Sequence, residues 1–356
     1  MSSSVSESTF RSRLDRARAE MARTGVDALI LSLGHDMPYL TGYLAMPLER
    51  LTMLVVPREG DASLIIPRLE APRVTEMPSV FSLATWNETD DPVALAHKLL
   101  GSARTIAVGD QMWSRFLVDL LKFRPDAKYV RSVVVMEALR SRKDAAEIAA
   151  LVAAGAAADR VAAQLHAGDI PLVGRTEAQV SADISARLLA EGHQVVNFAI
   201  VAAGENAASP HHHAGDRVIK HGEIVLCDFG GTMNDYCSDI TRCVHIGEPP
   251  SDIAEAYSVL FESQAAGVAA GLIGSSCAGV DAASRGVIDA AGFGEWFVHR
   301  TGHGIGMEAH EDPYMVAGND TPIAVGHAYS VEPGIYIPGK WGMRLEDIVV
   351  ATASGP

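Results

Sequence analysis

The residues best equipped for chemistry in this 356-residue chain are four carboxylates and a group of histidines in its C-terminal half. Asp228 and Asp239 lie in IVLCDFGGTMNDYCSDITRCVHI, residues 224–246, where two β-prone runs flank a turn-prone GTMND. That is a hairpin signature. A turn centred between Met233 and Asn234 sets Asp228 directly opposite Asp239, with Cβ atoms roughly 5 Å apart. Two unit charges at that distance repel by roughly 3 kcal/mol at an effective dielectric of about 20, so a cation is expected between them. The stretch 329–350 has the same design: Pro338-Gly339-Lys340 is a three-residue turn, and centring on Gly339 puts Glu332 opposite Glu346. Between the hairpins, HRTGHGIGMEAH (299–310) places His299, His303 and His310 among Gly302, Gly304 and Gly306, which allow close backbone approach.

Four carboxylates and one imidazole suit two divalent cations, because four negative charges balance two M²⁺ ions. Hard oxygen donors with a single nitrogen favour Mn²⁺, with Co²⁺, Zn²⁺ or Fe²⁺ as competitors. Two such ions a few ångströms apart can acidify a shared water and stabilise a tetrahedral oxyanion, which is hydrolytic chemistry. Taken singly, each of these residues reads as an ordinary turn, surface or packed side chain. Taken in order, they form a ligand set.

DFGGTMNDYCSDITR, HRTGHGIGMEAHE, VEPGIY and MRLED together resemble the pita-bread metallopeptidases. That family contains Xaa-Pro dipeptidases (prolidases), aminopeptidase P, methionine aminopeptidases and the creatinases. The resemblance implies that Asp228 holds one metal, that His303 and Glu332 hold the other, and that Asp239 and Glu346 bridge them. It further implies Glu332 as general base or proton shuttle, His211 of SPHHHAGD at the substrate or departing amine, and His310 at the scissile carbonyl. His299 is expected near the substrate, and Arg344 to orient Glu346 or bind a substrate carboxylate. Tyr236 is expected to support the ligands from behind. All five ligands stand, which argues against the metal-free creatinase branch, and the long N-terminal half argues against methionine aminopeptidases. The expected activity is an Xaa-Pro dipeptidase. An Xaa-Pro aminopeptidase, or a non-peptide C–N hydrolase or lyase on the same fold, is the alternative.

The elements that must position these groups read as an α+β chain. The resemblance implies a C-terminal pita-bread (creatinase/aminopeptidase) fold at 138–356, preceded by a smaller mixed α/β creatinase-like domain at 1–137 that serves gating or dimerisation. In the N-terminal part a helix is expected at 7–25 and strands at 27–33, 51–57, 63–67, 105–109 and 130–136. Helices are expected near 91–100 and 113–122. Further on, Ser141 and Asp144 suggest a capping box opening a long Ala-rich helix whose face includes Val152, with Gly155 admitting a close neighbour. Thr176 and Gln179 suggest a second box. Strands at 195–202 and 223–229, then helices near 252–271 and 279–291, precede a strand-rich last third. No internal repeat is evident.

Net charge is −15, from 44 acidic against 29 basic residues, which argues against a nucleic-acid partner. No run of about 18 uninterrupted apolar residues suggests a membrane partner. The N-terminus lacks a signal-peptide pattern and the four cysteines form no CxxC pair, so a cytoplasmic protein with reduced thiols is expected. A small Xaa-Pro peptide is the expected substrate, and the resemblance suggests a homodimer.

Overall fold

The computed structural model describes residues 5–356, which divide into two compact units between Arg140 and Ser141. The first runs α1 (Glu7–Thr24), β1 (Ala28–Leu31), α2 (Asp36–Thr41), β2 (Met53–Pro57), β3 (Ala62–Pro67), β4 (Phe81–Trp86), α3 (Pro92–Leu99), β5 (Thr105–Val108), α4 (Ser114–Phe123), β6 (Lys128–Arg131) and α5 (Val133–Arg140). Its mixed sheet has the order β4-β3-β2-β1-β5-β6. Ile30, Val55, Ile65 and Ile106 of the sheet pack against Val93 and Ala96 of α3 and Phe116 and Leu120 of α4.

The VRSVVVM segment departs from the expected strand. β6 ends at Arg131 and the valines begin α5. Val135, Met136 and Leu139 are buried on one face, and the Leu139 carbonyl accepts from Arg16 Nη2 at 3.2 Å and Tyr39 OH at 3.1 Å. Packing and a satisfied C-terminal carbonyl outweigh the β-propensity of the valines.

The second unit runs α6 (Ala145–Ala167), α7 (Glu177–Ala190), β7 (Val195–Ala203), β8 (Ile224–Met233), β9 (Tyr236–Cys237), β10 (Ile240–His245), α8 (Ser251–Ala270), α9 (Cys277–Ala290), β11 (Gly302–Gly304), β12 (Glu311–Met315), β13 (Ala328–Val331), β14 (Gly334–Ile337), β15 (Trp341–Arg344) and β16 (Asp347–Val350). Strand alternation sorts its sheets into two faces. Val225, Cys227 and Phe229 of β8 pack with Val180, Ile184 and Leu188 of α7 and with Val161 and Leu165 of α6. Ile224 and Leu226 face the other way, toward Leu260 of α8, Ile288 of α9 and Met343 of β15. Asp228 continues that second face. By length and composition α6 could cross a bilayer; here its buried face forms part of the core just described.

Three details of α6 differ from expectation. Its N-cap is Asp144, one turn later than the Ser141 reading, and Asp144 forms a complete capping box with Glu147. Val152 points outward, 59% exposed, and a Cβ added at Gly155 would meet nothing within 4 Å, so no neighbour packs there. The Thr176–Gln179 box on α7 is present.

An internal repeat, not evident from the letters, exists in the backbone. Gly174 N donates to the Ile219 carbonyl at 2.9 Å and Ile219 N to the Arg175 carbonyl at 2.9 Å; Gly274 N donates to Ile323 at 2.9 Å and Ile323 N to Ser275 at 2.8 Å. Glu177 N and Cys277 N likewise donate to Arg217 and Thr321, and Thr176 and Ser276 cap the two helices. Backbone hydrogen bonds and caps tolerate wide side-chain change, which is why inspection of the residues misses them. Replacing Asp144 with Ala removes the α6 cap and should destabilise the second unit by about 1 kcal/mol in chemical denaturation; an unchanged midpoint would show that the box contributes nothing.

Candidate active site

The turn of the first hairpin is displaced from its expected place. Asn234 and Asp235 occupy it with φ of 50° and 69°, the two positive angles of a tight two-residue turn. β8 therefore pairs Met233 with Tyr236 and Asp228 with Thr241, not with Asp239. Asp239 falls in the break between β9 and β10. A Cβ at Gly230 would collide with the Ser238 carbonyl, so glycine there lets the broken segment approach β8. Asp228 and Asp239 still converge, diagonally.

The second hairpin has the expected register. β14 pairs with β15, Gly334 opposite Arg344 and Ile337 opposite Trp341. β13 and β16 continue the same register with Val331 opposite Asp347. Glu332 and Glu346 sit opposite each other in the gap between these ladders, where each backbone N–H turns elsewhere: Glu332 to the Thr301 carbonyl at 2.8 Å, Glu346 to the Thr241 carbonyl at 3.3 Å. His303 comes from β11, where a Cβ at Gly302 would collide with the Ser330 carbonyl.

These five side chains crowd one buried cluster: Asp228 and Asp239 are each 7% exposed, His303 2% and Glu346 1%. Three triads each bring ligand-type atoms within 4.8 Å of one another: Asp228, Asp239 and Glu346; His303, Glu332 and Glu346; Asp239, His303 and His310. His303 Nδ1 lies 3.0 Å from the Gly304 carbonyl, and its Nε2 faces Glu332 Oε1 at 3.1 Å and Asp239 Oδ2 at 3.7 Å. Burial raises the carboxyl pKa of Asp228, and raises those of Asp239 and Glu346 well above the ordinary range with neighbouring carboxylates adding to the effect. Burial also opposes ionisation of Glu332, but the hydrogen bond and charge of His303, with Arg344, draw it down to about 2. Asp228 Oδ1 and Glu346 Oε1 are buried without a hydrogen-bond partner. Orphaned carboxylate oxygens among hard donors fit divalent cations.

Nine of the ten residues singled out from the sequence, all but Tyr236, line one cavity of about 800 Å³, together with Phe198, Ile200, Ser209, Pro210, Val298 and Arg300. Arg344 supplies its fixed positive charge, donating from Nη2 to Asp228 Oδ2 at 2.5 Å, from Nε to Thr241 Oγ1 at 3.1 Å and from Nη1 to Tyr336 OH at 2.8 Å. Thr241 passes the contact on, donating to Glu346 Oε2 at 2.7 Å. Of the two tasks expected of Arg344, orienting the carboxylates is the one its geometry serves. Tyr336 OH meets His299 Nε2 at 2.8 Å, and His299 Nδ1 meets the Arg300 carbonyl at 2.7 Å. His299 thus borders the substrate space with both nitrogens engaged. His310 opens to the cavity beside His303, ring centroids 3.9 Å apart; desolvation in the cleft and then the His303 neighbour hold its pKa down to about 4, so the ring is neutral at physiological pH. His211 is at the rim. Tyr236 instead bonds Glu147 Oε1 of α6 at 2.8 Å, bracing the broken hairpin from outside the cavity.

Sequence reasoning missed Thr241, Ser330, Tyr336 and Glu177. Ser330 Oγ donates to Glu332 Oε1 at 2.9 Å. Glu177, fully buried, accepts from His212 Nε2 and from the Ala203 and Gly215 amides, tying down the loop that carries His211. That gives His212 a structural task. A Glu in a helix's first turn gives no sequence sign of such distant partners.

Fold and site together define a metal-dependent peptide hydrolase. The metallopeptidase family M24 model matches residues 143–353, and the creatinase/prolidase N-terminal domain model matches 13–142. The chain belongs to metallopeptidase family M24. It is 44% identical to a probable dipeptidase PepE of Mycobacterium bovis over 354 residues, 97% of this chain and 93% of that protein. The crystal structure of dipeptidase PepE from Mycobacterium ulcerans superposes with a TM-score of 0.93 at 44% identity, covering 99% of this chain and 95% of the other. A prolidase from Thermococcus sibiricus superposes at 0.91 with 31% identity, covering 97% and 95%.

The raised carboxyls make metal binding and stability functions of pH. Without metal, native Asp228, Asp239 and Glu346 retain protons that unfolded carboxyls release from about pH 4, so their contribution is full below that range and is lost as pH rises through the native values. Glu332 has the opposite sign, losing its contribution only as pH falls toward about 2. Between about pH 5 and pH 8 the rise in melting temperature on adding Mn²⁺ to metal-free protein should therefore grow with pH. A rise that is constant, or larger at the acid end, would contradict this electrostatic account.

Proposed function

We propose that the protein hydrolyses the peptide bond before proline, as an Xaa-Pro dipeptidase using two divalent cations, Mn²⁺ first among them. The observation that carries this is the cluster of Asp228, Asp239, His303, Glu332 and Glu346 in a cavity with an apolar wall of Phe198, Ile200 and Val298. Asp239, His303 and Glu346 each belong to two of the ligand triads, and of these only the two carboxylates offer a pair of oxygens, which supports Asp239 and Glu346 as bridging ligands. Asp228 would complete one ion's set and His303 with Glu332 the other's. Such a pair supplies Lewis acidity, polarising the scissile carbonyl and making water a stronger acid.

The chain's own groups then divide the proton work. Glu332 is ionised, and Ser330 occupies its Oε1, leaving Oε2 to take a proton from the attacking water and return it to the departing nitrogen. His310, neutral, donates a hydrogen bond to the carbonyl oxygen as charge develops there. His211 at the rim meets the departing amine. The bond before proline has no N–H, so its nitrogen must be protonated by a positioned group, and an apolar wall suits the ring. The T. sibiricus prolidase is consistent with this choice. The N-terminal unit would serve gating or dimerisation of a cytoplasmic homodimer.

An Xaa-Pro aminopeptidase is the second reading, because 800 Å³ is ample for more than a dipeptide. Ala-Pro assayed against Ala-Pro-Ala decides between them: equal or faster cleavage of the tripeptide selects the aminopeptidase. Glu332→Gln should cut kcat by about 10²- to 10⁴-fold, with metal content by elemental analysis retained at least in part. Full metal loading with no hydrolysis of any Xaa-Pro peptide would remove the proline assignment and favour a non-peptide C–N hydrolase or lyase.

A further inference from the structure

Asp281 on α9 is 2% exposed, and it does not line the cavity. Its carboxylate forms a two-pronged pair with Arg285: Nε donates to Oδ2 at 3.2 Å and Nη2 to Oδ1 at 3.1 Å. Oδ1 also accepts from the Thr301 amide at 3.0 Å and the Thr301 hydroxyl at 2.8 Å. Arg285 reaches the same segment, with Nη1 on the Phe297 carbonyl at 3.0 Å and Nη2 on the His299 carbonyl at 2.7 Å. Its Cζ lies 4.0 Å from the centroid of the Phe297 ring.

Residues 297–301 belong to no helix or strand, so the Phe297 and His299 carbonyls need partners from elsewhere. A planar guanidinium that grips one carboxylate and two carbonyls together holds such a segment rigidly. The Thr301 carbonyl then accepts the Glu332 amide at 2.8 Å. One chain of contacts thus runs from α9 through Thr301 to the backbone of Glu332.

The internal repeat shows that the fold itself does not require this pair. Counting from the caps Thr176 and Ser276, Ser181 and Ser185 of α7 stand where Asp281 and Arg285 stand on α9. Val180 and Leu188 are buried at the positions of Val280 and Ile288, so the two helices pack alike. Yet Ser181 Oγ donates to the Ala199 carbonyl at 2.6 Å and Ser185 Oγ to the Ser181 carbonyl at 2.8 Å. Neutral hydroxyls suffice there. The charged pair stands in the half whose neighbouring segment leads into β11 and His303.

We infer that Asp281 and Arg285 are positioning residues that fix Glu332 and so set the affinity of the cation held by His303 and Glu332, leaving the one at Asp228 unaffected. This rests on the two-cation reading above and not on the choice of peptide. The selectivity follows from the route, because the pair reaches Glu332 through Thr301, whereas Asp228 is oriented by Arg344.

Calorimetric titration of Mn²⁺ into the metal-free protein tests this. Wild type should take up two equivalents. The double variant Asp281→Ser/Arg285→Ser, which copies the first half of the repeat, should bind one of them about 10- to 100-fold more weakly and the other unchanged. Thr301→Val removes only the hydroxyl contact and should weaken the same equivalent by about 2- to 10-fold; it decides the matter if the double variant does not fold. Both equivalents unchanged, or both weakened alike, overturns the inference, since a pair that merely stabilises the fold has no reason to act on one site. A wild type that takes up a single equivalent ends the two-cation reading; positioning of Glu332 then stands if the variants weaken that equivalent and falls if they do not.

Discussion

Mutual repulsion of four carboxylates in a space shielded from water is the constraint around which the second unit is organised. In bulk solvent such a group would spread apart or protonate. Here Asp228, Asp239, Glu332 and Glu346 are held by backbone, and three of the four respond with raised pKa values. A buried anion is tolerable only when paired or coordinated. Arg344 meets part of that demand permanently, and the orphaned oxygens of Asp228 and Glu346 leave the remainder to cations. Preorganisation costs stability in the metal-free protein and returns it on binding, which links metal affinity to folding.

The buried positive charge of Arg344 has the work of a scaffold. Arg344 joins Asp228, Thr241 and Tyr336, and through Thr241 reaches Glu346, so one side chain sets the orientation of two carboxylates on separate hairpins. Tyr336 extends the same network to His299. Donors fixed in a planar fork, each aimed at a different partner, and a charge that never titrates suit arginine to this task, which lysine could not perform. A residue so occupied works chiefly as scaffold, holding the carboxylates in place.

How much of this was legible in the residues depended on the range of the interaction. The second hairpin was readable because Pro338-Gly339-Lys340 fixes register locally. The first was misplaced because Asn234 and Asp235 both accept positive φ, a choice invisible in a string of turn-prone letters; Asp228 and Asp239 nonetheless converge, meeting diagonally across the sheet. The valines of α5 misled because their partners, Arg16 and Tyr39, are far away in sequence. For the same reason Thr241, Tyr336 and Glu177 carried no local signal. Residue types chosen for chemistry announced themselves, whereas residues chosen to support them did not.

The placement of Glu332 and Glu346 shows why the support matters. Both stand where a single hairpin register is interrupted, with β13 and β16 on one side and β14 and β15 on the other. Inside a continuous ladder each amide would bond its sibling strand, and the pair could shift with the hairpin as a unit. At the gap the Glu332 amide bonds Thr301 and the Glu346 amide bonds Thr241, so the carboxylates are anchored to the segments that carry His303 and Asp239. The break turns a local element into a junction of strands. Side chains converging on a cation need positions accurate to a fraction of an ångström, and a junction anchored from several directions supplies that accuracy better than a free hairpin can.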